Sequence, residues 1–301
     1  MAFDPKIDFD KLQPLIDSLE EARQEVYALD VPSMLERWLQ RFTEARGAHM
    51  STRIEGNPMT EEEVRGIFAR PERGSDVAEL ENLNYRDAVR FARQYADDPS
   101  ADIDGGFLRA LHFVIVREVD RYGSGGRYRF EQNVVRSGQH DVFRPPPPTD
   151  VARLMNDLVT WLRASRGSVH PLVLAAVAHI EFVNVHPFDD GNGRTARAIT
   201  AYFLAGGGGR DFVSVEQVFG GDVDEYYLAL RTLGKRYPGP QVDLTNWVNW
   251  FLGGFAISSG STVGTVRGFV SSQRDIETRL QGAGLPRDSP LRSDTSCFSA
   301  K

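Results

Sequence analysis

Cysteine is almost absent from this sequence: the 301 residues contain one, Cys297, in a polar tail. A single thiol can neither close an internal disulfide nor supply a cysteine-based zinc site, so Cys297 reads as a spectator. Long apolar runs are also missing. The longest, "PLVLAAVAHIEFVNV" from Pro171, is broken by His179 and Glu181 and falls short of the roughly 20 residues that a bilayer core demands. No membrane span is expected. The opening "MAFDPKIDFDKL" has early acids and lacks the basic and apolar blocks of a secretory signal, which predicts a cytoplasmic protein. Excess basic charge is lacking as well. The net charge of −7 argues against general nucleic-acid binding while leaving a local basic patch open. There is no internal repeat, and the length suits one large domain or two modest ones.

What is present is helical periodicity, with apolar residues recurring at three and four rather than two. "SMLERWLQRFTEARGAHMSTRIEG" opens with Ser33 and Glu36 in capping-box spacing and ends at Gly56 before Pro58, enough for one helix or two in series. "TEEEVRGIFAR" repeats the device with Thr60 and Glu63, and a third helix starts near Asp76. Together these form an N-terminal helical layer. "GGFLRALHFVIVREVDRY" then leads into a glycine- and proline-rich stretch that predicts a short hairpin. Its arms are Asn133 to Arg136 and His140 to Phe143, turning at Ser137-Gly138 and stopped by Pro145 to Pro148, which cannot donate to a ladder.

After the prolines come an amphipathic helix, the apolar Pro171 helix, a helix restarting at "GRTARAITAYFLAG", a loop at Gly206 to Gly209, and the helices "DVDEYYLALRTLGK" and "LTNWVNWFLGGFA". From Ser258 the chain turns polar, with a final helix in "TVRGFVSSQRDIETRL" and little expected order after Gly282. The expectation is an all-α fold with one hairpin.

Chemistry concentrates in "HPFDDGNGRTAR", residues 186 to 197. A helix that begins at a glycine turn points unpaired N–H groups and positive partial charge at that turn, making an anion site. Asn192 can add a side-chain donor. Arg194 and Arg197, three apart, share one helical face and can take phosphate oxygens bidentately. Asp190, an acid beside a phosphate site, reads as a Mg²⁺ ligand completed by phosphates and water. Asp189 has no clear role. His186 suits proton abstraction from a hydroxyl near neutral pH. Alone, the histidine, the glycines or the arginines would each have an ordinary structural explanation. Joined in twelve residues, they suit transfer of a phosphoryl or nucleotidyl group to a hydroxyl.

These residues resemble the motif of the Fic (Fido) family at every fixed position. The resemblance implies a helical Fic core with a hairpin flap, and transfer of AMP from ATP to a Ser, Thr or Tyr hydroxyl of a protein, with Mg²⁺. It implies His186 as general base, Phe188 as core anchor and Asp190 as metal ligand. Gly191, Asn192 and Gly193 would form the anion hole, and Arg194 and Arg197 would contact the β and γ phosphates. A glycine at position 193, where phosphorylating relatives carry lysine, favours presenting the α-phosphate. The resemblance covers roughly residues 35 to 255. The hairpin is similar to the family's flap, which docks the target chain by strand addition, making Val134, Val135, Val142 and Phe143 docking candidates. "DEYYLAL" is similar to a segment lining the adenine, so Tyr226 and Tyr227 are candidates for that wall, with core packing an equal explanation.

A second stretch, "STRIEGN" at residues 51 to 57, is similar to the family's inhibitory motif through Ser51 and Glu55. Glu55 stands in the last turn of a helix, where the macrodipole disfavours an acid by about 0.3 to 1 kcal/mol. The resemblance names its partner as Arg197, in competition with the γ-phosphate. The organisation expected is an N-terminal helical region with the inhibitory helix (1–103), the core (104–257) and a C-terminal helix with a polar tail (258–301). The expected function is an autoinhibited protein adenylyltransferase that modifies itself among its targets. Removal of AMP from a modified protein and a nucleotide-sensing regulatory protein are the alternatives. A homodimer stays open.

Overall fold

A helix that is apolar on every side belongs in the interior of a fold, and the Pro171 segment is buried along nearly its whole length. The computed structural model describes residues 2–29, 31–70, 72–137, 140–205 and 215–282. Among these, the helices in chain order are α1 (Phe9–Ala28), α2 (Ser33–Ile54), α3 (Glu61–Ala69), α4 (Val77–Asp97), α5 (Gly105–Val116), α6 (Pro148–Ser165), α7 (Pro171–Val185), α8 (Asn192–Ala205), α9 (Val215–Gly220), α10 (Val223–Arg231) and α11 (Thr245–Gly282). The described residues are all-α apart from one hairpin, β1 (Val135–Ser137) and β2 (His140–Phe143). No described helix is long and apolar enough to cross a membrane.

In α7, even His179 and Glu181 are fully buried. It packs against α6, α8 and α11, while α8 is flanked by α4 and α5. The N-terminus of α8 and the C-terminus of α7 therefore meet at a loop enclosed by other helices. α2 lies across α4 and α9, and its C-terminal end reaches that loop.

The local signals were legible in part. The Thr60–Glu63 capping box forms with both of its bonds, and Asp76 caps α4. Residues 33–54 make one helix, followed by Gly56 at φ +91°, a left-handed value that suits glycine. The Ser33–Glu36 box does not form. Pro32 is the cap, with no side-chain bond, and the Glu36 N–H donates to the Pro32 carbonyl at 2.9 Å. Ser33 is already helical, so its side chain is not at the capping position. The hairpin's second arm is His140–Phe143 as expected, whereas the first is shifted to Val135–Ser137. Its turn at Gly138 lies outside the described residues, as do Gly206 to Gly209 and Cys297.

Two features depart from the sequence reading. The chain continues through Ser258 as one helix, α11, instead of two. Val263, Val266 and Val270 extend its apolar stripe and pack on Val26, Val31 and Leu39, burying a segment whose composition looks polar. The second is α1, a helix of Phe9–Ala28 beyond those that the sequence signals mark. It carries Pro14 inside the helix, is capped by Asp8 and lies along α11. Backbone bonds from Asp4 to Pro240 (2.8 Å) and from Lys6 to Val242 (2.9 Å) tie its approach to the start of α11.

If α1 is integral to the core, truncating its fully buried Leu12 should cost about 2–5 kcal/mol of stability. Urea unfolding of Leu12→Ala reads this directly. A change below about 0.5 kcal/mol, the range of surface substitutions, would mean that α1 is peripheral.

Candidate active site

The loop between α7 and α8 begins at His186, in the left-handed region at φ 49°, ψ 61°. A non-glycine residue there is strained unless its surroundings hold it. Here its N–H donates to the Phe182 carbonyl at 3.0 Å, closing α7 and turning the chain sharply. The imidazole Nδ1 lies 3.3 Å from the Val183 carbonyl. A carbonyl only accepts, so Nδ1 carries the hydrogen and Nε2 keeps its lone pair. Burial lowers the His186 pKa to about 4, leaving a neutral imidazole able to accept a proton.

Phe188 is fully buried and stacks on His112 with centroids 3.7 Å apart. Asn192, expected to offer a donor to a ligand, is instead engaged by Phe188 at both ends of its amide. Its Oδ1 accepts the Phe188 N–H at 2.9 Å and its Nδ2 donates to the Phe188 carbonyl at 2.8 Å. Asn192 thus closes the loop. Gly191 has φ +72°, and a Cβ there would meet Val116 at 3.0 Å and Ile115 at 3.3 Å. Conformation and space both demand glycine. The Asp190 side chain is 59% exposed, and its Oδ1 accepts the Gly191 N–H at 2.6 Å.

Three residues without a role in the sequence reading hold this loop. Arg129 is 2% exposed and donates to carbonyls of His186 (2.8 Å), Val185 (3.4 Å), Glu131 (3.1 Å) and Pro146 (2.6 Å). It joins the end of α7 to both flanks of the hairpin. Asn133 adds a bond to the Phe188 carbonyl at 3.2 Å. His112 accepts the Gly126 N–H on Nδ1 at 2.9 Å and donates from Nε2 to the Asp190 carbonyl at 3.0 Å. Burial depresses its pKa to about 4. The available signals were weak: an arginine in "GRYR" and a histidine inside the apolar α5.

Both motif arginines are buried and each faces a carboxylate. Arg197, 1% exposed, donates from Nε to the Ser51 hydroxyl at 2.7 Å and from Nη2 to the Ser51 carbonyl at 3.0 Å and Glu55 Oε1 at 2.7 Å. Burial alone would raise the Glu55 pKa, but the guanidinium groups of Arg197 and Arg194 outweigh it and hold it below the ordinary value. The carboxylate sits over Gly193: a Cβ at that position would lie 3.4 Å from Glu55 Cδ and 3.1 Å from Arg197 Nη1. Glu55 therefore occupies the N-terminal turn of α8, where an anion is stabilised.

Arg194 donates to Glu81 of α4 at 3.1 Å. The other Glu81 oxygen accepts from Asn57 at 2.8 Å, linking this second pair to the chain two residues beyond Glu55. Spacing within the chain carries no hint of Glu81, because α4 approaches only in the fold.

Tyr226 is 2% exposed, with its hydroxyl 3.0 Å from His179 Nε2. Tyr227 is 37% exposed and its hydroxyl donates to the Ile54 carbonyl at 3.5 Å, beside the end of α2. Val134, Val135, Val142 and Phe143 are half-buried in and just before the hairpin.

No group of three or more metal-ligating side chains exists among the described residues. A Mg²⁺ held by one carboxylate, with phosphates and water completing its shell, does not require one. The exposed Asp190 beside the anion turn fits that role.

Residues 102–204 match the family model described as Fic/DOC. Among curated proteins, the chain is similar to the protein adenylyltransferase Fic of Drosophila melanogaster, 30% identical over 188 residues, 61% of this chain and 37% of the relative. The Nematostella vectensis protein of that name is 28% identical over 193 residues, 62% and 43% of the two chains. The chain thus spans roughly two fifths of the length of these relatives. A solved Fic family protein from Desulfovibrio desulfuricans aligns with a TM-score of 0.70 at 26% identity, over 84% of this chain and 74% of that one. Fic-1 of C. elegans, at 23% identity, shares the fold, with a TM-score of 0.67 over 87% and 73%.

The buried neutral histidines have a signature in acid. Above pH 6.5 His112 is uncharged in both states and its contribution is complete. From pH 6.5 down to about 4 only the unfolded chain takes the proton, so stability falls by about 3 kcal/mol. Glu181, raised to about 8 by burial, has the opposite slope, which a comparison of wild type with His112→Gln cancels. The stability difference between the two should narrow by about that amount over this window in urea titrations. A difference independent of pH would refute the assignment.

Proposed function

We infer that the chain, which carries a Fic/DOC family domain over residues 102–204, is an autoinhibited protein adenylyltransferase that transfers AMP from ATP to a hydroxyl side chain of a protein, itself included. The observation that carries this reading is the junction of α7 and α8. A neutral imidazole with a free Nε2 stands beside the N-terminal turn of α8 and two buried arginines. ATP lying there directs its β and γ phosphates to Arg194 and Arg197. His186 Nε2 takes the proton of the target hydroxyl, whose oxygen bonds to the α-phosphorus as the bond to the β-phosphate oxygen breaks, and pyrophosphate leaves toward the arginines. Asp190 would hold Mg²⁺, which supplies charge neutralisation between the phosphates when bound. Arg129 and His112 keep the loop in place.

Autoinhibition rests on Glu55. Its carboxylate lies where a phosphate would meet Arg197 and Gly193, so ATP reaches its productive pose only if the carboxylate withdraws. A hundredfold repression needs about 2.8 kcal/mol of bias, within the range for a charged hydrogen bond to a buried guanidinium. The hairpin, tied to the loop through Arg129 and Asn133, serves to hold the target chain by strand addition.

The same carboxylate is within electrostatic reach of His186. This favours a second reading in which Glu55 orients a water that releases AMP from a modified protein. Wild type incubated with an AMP-modified protein tests it: release of AMP supports this reading, and an intact adduct removes it.

For the leading reading, Glu55→Gly incubated with labelled ATP and Mg²⁺ should label itself or a lysate protein at least about a hundredfold above wild type. Mass spectrometry should find a hydroxyl carrying AMP. No label in either would defeat the proposal. His186→Ala should still bind ATP and lose about 10²–10⁴-fold in transfer; undiminished transfer would take the base role from the histidine.

A further inference from the structure

Beyond Phe143 the second hairpin strand continues into Arg144. Its N–H donates to the Lys235 carbonyl at 2.9 Å, and its carbonyl accepts the Tyr237 N–H at 3.2 Å. This parallel bridge sets Arg144 opposite Arg236. Like charges placed directly opposite one another on paired extended chains are destabilising. Both arginines are exposed, and among the described residues neither side chain has a hydrogen-bond or ion-pair partner. Lys235 is exposed beside them.

The two arginines border a groove floored by Pro145, Pro146, Pro147 and Tyr237. The Tyr237 hydroxyl is turned inward, donating to Glu181 at 2.7 Å, which leaves its ring to the groove. Glu181, pushed up to about 8 by burial, is largely uncharged at neutral pH and does not offset the arginines. Arg153, the third arginine of the groove, is already paired with Asp157 at 3.1 Å and Asp150 at 3.6 Å. The unmatched charge therefore belongs to Arg144 and Arg236, in a chain whose net charge is −7.

We propose that this groove is a docking site for an acidic, extended segment of the protein substrate, next to the hydroxyl that is modified. The proposal rests on reading the hairpin as the element that holds the target chain. The groove lies at the end of β2, because Arg144 follows β2 without interruption and lines it. Carboxylates of that chain take the two guanidinium groups in bidentate fashion. The proline and tyrosine floor receives the apolar parts of an extended backbone. A substrate without acids near its target hydroxyl is selected against, since it leaves the arginine pair uncompensated.

The test is fluorescence anisotropy on the full chain with a fluorescein-labelled Glu/Pro peptide and its Gln/Pro twin, without nucleotide. The acidic peptide should bind saturably, and the twin at least about tenfold more weakly. Arg144→Glu/Arg236→Glu should weaken the acidic peptide at least about a hundredfold and the milder Arg144→Gln/Arg236→Gln about tenfold. Equal binding of the two peptides, or unaltered binding by the variants, overturns the proposal. So does displacement of the peptide by millimolar inorganic phosphate or by a single-stranded oligonucleotide, which would make the groove a phosphate site. Because no nucleotide is present, failure here leaves AMP transfer standing, whereas an unlabelled Glu55→Gly protein removes the transfer reading alone.

Discussion

A buried guanidinium holds the working parts of this protein together. α7 is enclosed on all sides, so its last carbonyls cannot turn to water, and a helix end buried without partners is costly. Arg129 takes the Val185 and His186 carbonyls together with those of Glu131 and Pro146. In doing so it also connects the loop that carries His186 to the hairpin. The left-handed turn at His186 and the position of the hairpin both depend on that set of bonds.

The second constraint is electrostatic. Two arginines are buried at the head of α8, where a helix N-terminus already contributes positive partial charge. Such a cluster is stable only when anions compensate it. In this structure Glu55, which caps the end of α2, and Glu81 of α4 supply the compensation. On the functional reading, phosphates take over that role, so inhibition and substrate binding are alternative solutions to one charge problem. Asn57 links the two carboxylate systems, bonding to Glu81 two residues after Glu55.

The placement of the motif residues at one helix junction was largely legible. His186, Phe188, Gly191 and the two arginines lie within twelve residues, and the spacing of Arg194 and Arg197 puts both on one face of α8. For Glu55, the misplaced acid at a helix C-terminus hinted at a partner, and the family resemblance named Arg197, which the fold places 2.7 Å away. Asn192 shows the limit of such reading. Its residue type announced a donor near an anion site, yet the backbone of Phe188 lies nearer and uses both ends of the amide. Arg129, His112 and Glu81 were illegible for a related reason: each serves a group that is far away in sequence and adjacent only in the fold. α11 failed differently, since the valines that keep it helical beyond Ser258 matter only with α1 and α2 against them.

The sequence by itself determined the helical class, the hairpin between α5 and α6, and the chemical character of the α7–α8 junction, because periodicity, glycine turns and side-chain type act over a few residues. The tertiary structure alone decided which carboxylate each arginine meets, that α1 and α11 close the fold together, and that Arg144 and Arg236 stand side by side. Those outcomes depend on packing and charge between segments far apart in the chain, and neither spacing nor composition encodes that distance.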